Sequence, residues 1–405
     1  MLKSLLTILF LLSLLTACGS DDSVAVVAAP ERVTFAGAGD LGIFDPSISR
    51  DSATNRLWMS YSSVDTSIYY ASSLYWAVSI RLAFSDDNGA SWQDAGVVAA
   101  PKVETLVGPM TVAPPAIIDA DSQGIWQSET SSLIFDPSAP PAERWKLIWF
   151  QYLNANLTSF FADYSWIAMK MAPTPMALAT ASPVKLFGGA GLQADNGITG
   201  PPVFSPTAGT PMIQLNTDLT QSLGGADLAE LNLCVFAEPG LHATNSAVYL
   251  AMFCADAATV PITEYLVYFR CNSPCDMTNA ASWEYLGRLL TPADAQAASG
   301  DDHYQAPALV EKNGKTYLLV TPVDTTSGNR YNGCRLYEFS DVNSNQLRRN
   351  NGQLVEVARI DGDSGTHHGA CAAYSGLDGG VLLSQFEASA PAETFNIYKS
   401  QVLLP

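Results

Sequence analysis

The sequence predicts an all-β chain folded as a five-bladed β-propeller, a ring of similar four-stranded units. Three observations carry that prediction. Short β-rich runs alternate with Gly, Pro, Asn and Asp turns, and no long amphipathic helix interrupts them. A weak repeat of about 60–90 residues recurs along the chain. Within it, an apolar strand reaches an Asp-Pro or Glu-Pro pair and is followed by an aromatic strand. The pairs are Asp45-Pro46, Asp136-Pro137 and Glu238-Pro239, and the aromatic strands lie around Trp58–Tyr61, Trp145–Phe150 and Tyr249–Phe253.

Each unit can be placed in order. The first covers about 45–98, the second 131–187, the third 231–290, the fourth 302–360 and the fifth 366–405. The stretch 32–35 is expected to add a strand to the last blade and close the ring, which protects sheet edges from aggregation. Segments 101–130 and 188–230 are too short for domains. They read as loops over the pocket face, with a hidden sixth blade as the alternative.

Composition limits the function classes. The chain has 405 residues, 48% of them hydrophobic, enough for a large buried core. Only 15% are charged and the formal net charge is −19. Nucleic acid needs basic patches, so it is excluded as a partner, and polyanionic substrates are disfavoured.

Lys3 precedes an apolar run, Leu5 to Leu15, too short to span a membrane as a mature helix. Leu15-Thr16-Ala17-Cys18 closes it and resembles a bacterial lipoprotein cleavage site. That resemblance implies a signal peptide over 1–17, lipidation of Cys18, a tether over 18–30 and one propeller domain over 31–405. It places the protein in the bacterial cell envelope, with Gly19 in place of an inner-membrane retention signal and the outer membrane as the expected site. Six further cysteines, an even number in an exported chain, suggest disulfides. Cys271 and Cys275 would close a small turn, Cys234 and Cys254 flank a hairpin, and Cys334 with Cys371 would link successive blades. Spacing alone leaves other pairings open, and no partner Cys/His pair has zinc spacing.

The segments around Asp45, Asp136 and Glu238 resemble glycoside hydrolase family 43, five-bladed propellers that cleave arabinosides and xylosides with inversion. The resemblance implies Asp45 as general base, Asp136 as the carboxylate that tunes and orients the acid, and Glu238 as general acid. Here the family's Glu-Gly-Pro reads Glu-Pro-Gly. A single Asp-Pro or Glu-Pro pair is an ordinary turn; three at matching phase argue for chemistry. Inversion needs one carboxyl to protonate the leaving oxygen and another to activate water. The substrate implied is a neutral oligo- or polysaccharide, handled by a monomer with no required cofactor.

The same resemblance places a Gly-His-like pair near the axis, where a structural calcium ion would sit. His368 in Thr366-His367-His368-Gly369 matches it, with His303 as competitor. Gln305-Ala306-Pro307 also resembles the acid-bearing strand, but with Gln for Glu. If that strand is the true equivalent, the protein binds glycan without cleaving it. Tyr69, Tyr70, Tyr75, Trp76, Trp126 and Trp166 are candidates to stack on sugar rings, each with a core or inter-blade role as its rival. Ser85-Asp86-Asp87-Asn88-Gly89-Ala90-Ser91-Trp92 resembles the Asp-box turn of sialidase-like propellers, which are six-bladed. A sialidase would need three axial arginines, for which Arg81, Arg270 and Arg335 are available, but no F-R-I-P-like segment occurs. Outside catalysis by carboxylates there is no G-x-S-x-G elbow and no phosphate-binding glycine loop.

Lipidation is directly testable. The mature protein is expected to begin at Cys18 and to partition with membranes, and Cys18→Ala to release it. A free Cys18 thiol on a soluble native product, read by mass spectrometry, would overturn the expectation.

Overall fold

The computed structural model describes residues 26–37, 41–70, 73–105, 110–112, 116–118, 123–155, 159–187, 224–231, 234–256, 262–326, 330–362, 367–374, 380–389 and 392–403. Cys18 and most of 188–230 lie outside them. The described residues form five sheets arranged as a propeller, each built on four antiparallel strands, with extra strands added to blades I, II and IV. Blade I runs Ile43–Arg50, Leu57–Tyr70, Ser73–Ser85 and Ser91–Ala99. Blade II runs Gln123–Phe135, Trp145–Ala155, Ser159–Ala172 and Val184–Phe187. Blade III runs Cys234–Ala243, Ala247–Asp256, Thr263–Asn272 and Trp283–Leu290. Blade IV runs His303–Lys312, Lys315–Asp324, Cys334–Asp341 and Glu356–Ile360. Blade V runs His368–Ala373, Val381–Ser389 and Ala392–Ser400, and the N-terminal strand Glu31–Arg32 supplies its fourth member.

Closure uses the N-terminus more fully than expected. Glu31–Arg32 pairs with blade V, while Thr34–Ala36 runs parallel to Ser91–Gln93 at the edge of blade I. The clasp therefore spans the seam instead of adding to one side. Val26–Val27, expected within a tether, pairs with Val402–Leu403, so ordered packing begins before residue 31. The inner strand of blade II starts at Gln123, so 101–130 is not wholly an inserted loop.

Burial follows the seams. Trp58 and Leu82 of blade I meet Trp126, Trp145 and Trp166 of blade II. Ile148 and Met169 of blade II meet Leu250 and Phe269 of blade III. Leu266 and Tyr268 pack with Leu318 and Tyr337, Leu319 and Leu336 with Leu383, and Leu382 and Ile397 with Met59 and Trp92. Apolar residues thus face both sides of each blade, as twisted sheets stacked around an axis require. The disulfides are Cys234–Cys254, Cys271–Cys275 and Cys334–Cys371, and the last joins blades IV and V.

Along most of its length each inner strand has a sheet partner on one side only; the exception is the start of Gln123–Phe135, which also pairs with Lys102–Thr105. The other edge would leave backbone N–H groups bare, which costs free energy when buried. Hydroxyls of the preceding blade meet them. Leu133 and Phe135 N–H donate to Ser47 and Ser49 Oγ at 3.0 and 3.2 Å, and Leu241 N–H donates to Ser132 Oγ at 2.8 Å. Nearer the other mouth, Asp45 N–H donates to Ser384 Oγ at 2.8 Å, Thr130 N–H to Ser62 Oγ at 3.0 Å, and Ala370 N–H to Thr321 Oγ1 at 2.7 Å. The last three acceptors occupy one position, opposite the residue just before the bulge of their own inner strand: Phe44, Gln305 and Gly369. Blades II and III carry Phe150 and Phe253 there.

Removing one such hydroxyl without changing shape isolates its worth. Thr321→Val is expected to leave the Ala370 N–H buried and unpaired and to cost about 1–3 kcal/mol. Thermal or denaturant unfolding checks this; an unchanged midpoint would show that the seam finds another acceptor.

Candidate active site

All five inner strands run from the same mouth of the axial channel to the other, and each is broken near its start by a bulge. One residue per blade takes positive φ there: Asp45 at 49°, Thr130 at 49°, Glu238 at 50°, Ala306 at 47° and Ala370 at 47°. The ladder shifts register at each of these points. A non-glycine residue in this region costs about 1 kcal/mol or more. Because two of the five are alanines, the conformation belongs to the ring and not to chemistry. Its consequence for chemistry is geometric: a bulge re-aims side chains and here turns them toward the axis. At Gly369, one residue before the bulge of blade V, a Cβ would overlap Thr321, so the His-Gly step lets blades IV and V approach.

A cavity of about 500 Å³ opens at this mouth. Asp45, Glu129 and Glu238 reach it from blades I, II and III, and Gln305 and Tyr331 from blade IV. Phe44, Phe386 and Phe395 form an aromatic wall, with ring centroids 4.9 Å apart from Phe44 to Phe395 and from Phe386 to Phe395. Thr130 and His367 complete the lining, which among the described residues contains neither lysine nor arginine.

The three carboxyls sit in different hydrogen-bond environments. Asp45 Oδ2 accepts from Thr130 Oγ1 at 3.0 Å and Ser62 Oγ at 3.3 Å. Burial, with Glu129 and Glu238 adding like charge, pushes its carboxyl well above the usual range. Glu129 accepts from Tyr152 Oη at 3.0 Å, and burial pushes it up to about 7. Glu238 accepts from Tyr331 Oη at 2.8 Å and from the Ala306 N–H at 2.7 Å. Burial raises it nonetheless. Asp45 is buried, Glu129 and Glu238 are partly buried, and no lysine or arginine lines the cavity among the described residues, so the three carboxyls resist ionising together and each is held above its ordinary value.

Asp136 is not in this cavity. Six residues along the same strand separate it from Thr130, roughly 20 Å at strand rise. Its neighbour Pro137 lines a different cavity, at the opposite mouth, with Arg50, His242 and Glu311. Asp136 is fully buried, 3.2 Å from Lys146 Nζ, and its Oδ1 accepts from Ser138. It is the turn residue that its Asp-Pro pair makes in isolation, and Glu129 supplies the carboxyl from blade II.

The aromatic and histidine candidates are also redistributed. Trp126 and Trp166 pack on each other at 4.8 Å inside the blade I–II core, away from the cavity. His368 is buried against Gly362, and His367 is the histidine that reaches the cavity. His303 is buried behind Gln305. The side chains of Tyr69, Tyr70, Tyr75 and Trp76 lie outside the described ones. Arg81, Arg270 and Arg335 stand on third strands, paired with Asp94, Glu284, and Glu356 with Asp361, so they do not form an axial triad. Among the described residues no group of three or more His, Cys, Asp or Glu side chains is placed to hold a metal ion.

Glu129 makes stability pH-dependent with a definite sign. Its folded-state value, about 7, lies above the ordinary 4.5, so the unfolded chain loses this proton first. Stability is expected to fall by roughly 3 kcal/mol as pH rises from about 4.5 to about 7. Glu129→Gln should flatten that slope in denaturant titrations; an unaltered slope would assign it to other groups.

No protein-family model matches the sequence, and no curated protein matches it. Solved structures similar to this chain include a thermostable family-43 glycoside hydrolase, at 11% identity and a TM-score of 0.46, covering 91% of this chain and 92% of that one. A family 117 glycoside hydrolase from the marine bacterium Zobellia galactanivorans is similar at 10% identity and 0.49, covering 95% and 92%. An endo-arabinase from Bacteroides thetaiotaomicron is similar at 11% identity and 0.42, covering 91% and 97%. At these values the likeness establishes neither a family nor an activity for this chain.

Proposed function

We propose that the protein hydrolyses glycosidic bonds in neutral, arabinose- or xylose-containing glycans at the cell envelope. One observation carries the reading: three carboxyls from three adjacent blades converge on one aromatic-walled cavity, where they resist ionising together. Glycoside hydrolysis asks for a protonated and an ionised carboxyl on either side of a sugar. The phenylalanine wall suits the apolar face of a sugar ring, and the absence of cationic lining suits an uncharged one.

In this reading Asp45 activates water. Its Oδ2 is fixed by two hydroxyls, and no hydrogen bond to Oδ1 occurs among the described residues. Glu238 protonates the leaving oxygen from the carboxyl it shares with Tyr331. Glu129 takes the tuning role expected of Asp136, since its charge raises the carboxyl of Asp45. The resemblance at Asp45 and Glu238 implies inversion at the anomeric carbon. A binding-only reading has one observation in its favour: blade IV presents Gln305, where a carboxyl would complete a fourth acidic position.

Leaving groups separate the roles. Asp45→Asn should slow every substrate by about 10²–10⁴-fold. Glu238→Gln should slow a natural glycan comparably but spare an aryl glycoside with a good leaving group. The opposite pattern would exchange the two roles, and pentose-glycan binding without turnover in the parent protein would leave the binding reading standing. NMR of the first-formed anomer tests inversion.

A further inference from the structure

A short relay lies behind the blade IV side of the cavity. Glu264 Oε2, on the third strand of blade III, is 3.1 Å from His303 Nδ1. His303 Nε2 is 3.0 Å from Gln305 Nε2. His303 is 3% exposed, and burial pulls its imidazole down to about 4, so the ring is neutral at physiological pH. Burial and the nearby Asp302 raise the Glu264 carboxyl; in its ionised form it can only accept, and the single N–H of the neutral ring then stands at Nδ1. Nε2 is then an acceptor. Gln305 must turn its amide N–H toward it, because the reverse orientation would set two acceptors face to face. The carbonyl Oε1 is left for the cavity, and no hydrogen bond to it occurs among the described residues.

From this polarity we infer that Gln305 is a specificity-determining residue whose carbonyl reads a hydrogen-bond donor on the ligand, a sugar hydroxyl, with His303 and Glu264 as positioning residues that lock the amide's orientation. The inference rests on the glycan reading of the cavity. It extends that reading by stating what the ligand must present to blade IV: a donor. A site that buries a fixed acceptor penalises an otherwise matched ligand that cannot donate to it.

The first measurement needs no ligand. Two-bond proton–nitrogen correlation on the full chain with labelled histidine should show His303 protonated at Nδ1 and bare at Nε2 between pH 6 and 8. The second uses methyl β-D-xylopyranoside, methyl α-L-arabinofuranoside and their monodeoxyfluoro derivatives, bound to the Asp45→Asn protein and followed by calorimetry. Fluorine replaces a hydroxyl without donating. One fluoro derivative should bind roughly 10- to 100-fold more weakly than its parent glycoside. Gln305→Leu should abolish that difference. Glu264→Leu should also erase it, although residue 305 is unchanged, because the tautomer is no longer fixed. Protonation at Nε2, discrimination that survives Gln305→Leu, or failure of every pentoside to bind would overturn the inference. Failure of the hydrolase reading would look different: no turnover in the parent protein, with the tautomer and the discrimination both intact.

Discussion

The ring depends on how the bare edges of its inner strands are satisfied. An inner strand cannot ladder with its neighbours across the axis, yet its amides are buried. Serine and threonine hydroxyls projecting from one blade meet the amides of the next, from Ser384 to Asp45, from Ser62 to Thr130 and from Thr321 to Ala370. Lower down, Ser47, Ser49 and Ser132 repeat the device. A hydroxyl suits this role because it accepts from the amide while its own proton finds another acceptor. Part of the chain's richness in small polar residues is thereby explained: they are not only surface but hold the blades in phase.

The same edges place the chemistry. Each bulge turns a side chain toward the axis, so whatever residue occupies that step of a blade faces every other. Most polar groups of the cavity accordingly stand at the bulges or immediately before them. Blades I to III carry Asp45, Glu129 and Glu238, blade IV carries Gln305, and blade V has Gly369 at the corresponding step, with His367, two residues earlier, reaching the cavity. The electrostatic character of the cavity follows from these residues, since carboxyls brought together without a counter-cation raise one another and hold protons near neutrality.

Much of this was legible in the sequence, and the failures have physical causes. The blade repeat showed because apolar periodicity and turn residues recur with each sheet. Asp45 and Glu238, which both line the cavity, stood out in the sequence because a proline follows each, and proline fits a bulge whose next residue does not ladder. The second carboxyl was misplaced because Asp136-Pro137 copies that dipeptide at the far end of the strand, where it serves a hairpin and neutralises Lys146. Glu129 lacks a following proline; its bulge is at Thr130, a β-branched residue that no local rule puts at positive φ. The alternating run from Ile125 to Ser131 would have shown a strand extending upstream. Trp126 and Trp166 are aromatic for seam packing, which composition cannot distinguish from sugar stacking. Tyr331 and the phenylalanine wall are brought to the axis by tertiary structure alone.

At the seam between blades III and IV, position 253 is a phenylalanine, and the Ala306 amide takes the carboxylate of Glu238 instead of a hydroxyl. On the proposed hydrolase reading, one side chain therefore serves both the seam and the chemistry. On that reading, a lineage that gave up catalysis would be free to let Asp45 drift, yet it would remain bound to an acceptor of the same reach at 238, with glutamine the nearest substitute. Amino-acid identity at 238 is thus a poor marker of lost activity among relatives of this chain, and position 45 a better one.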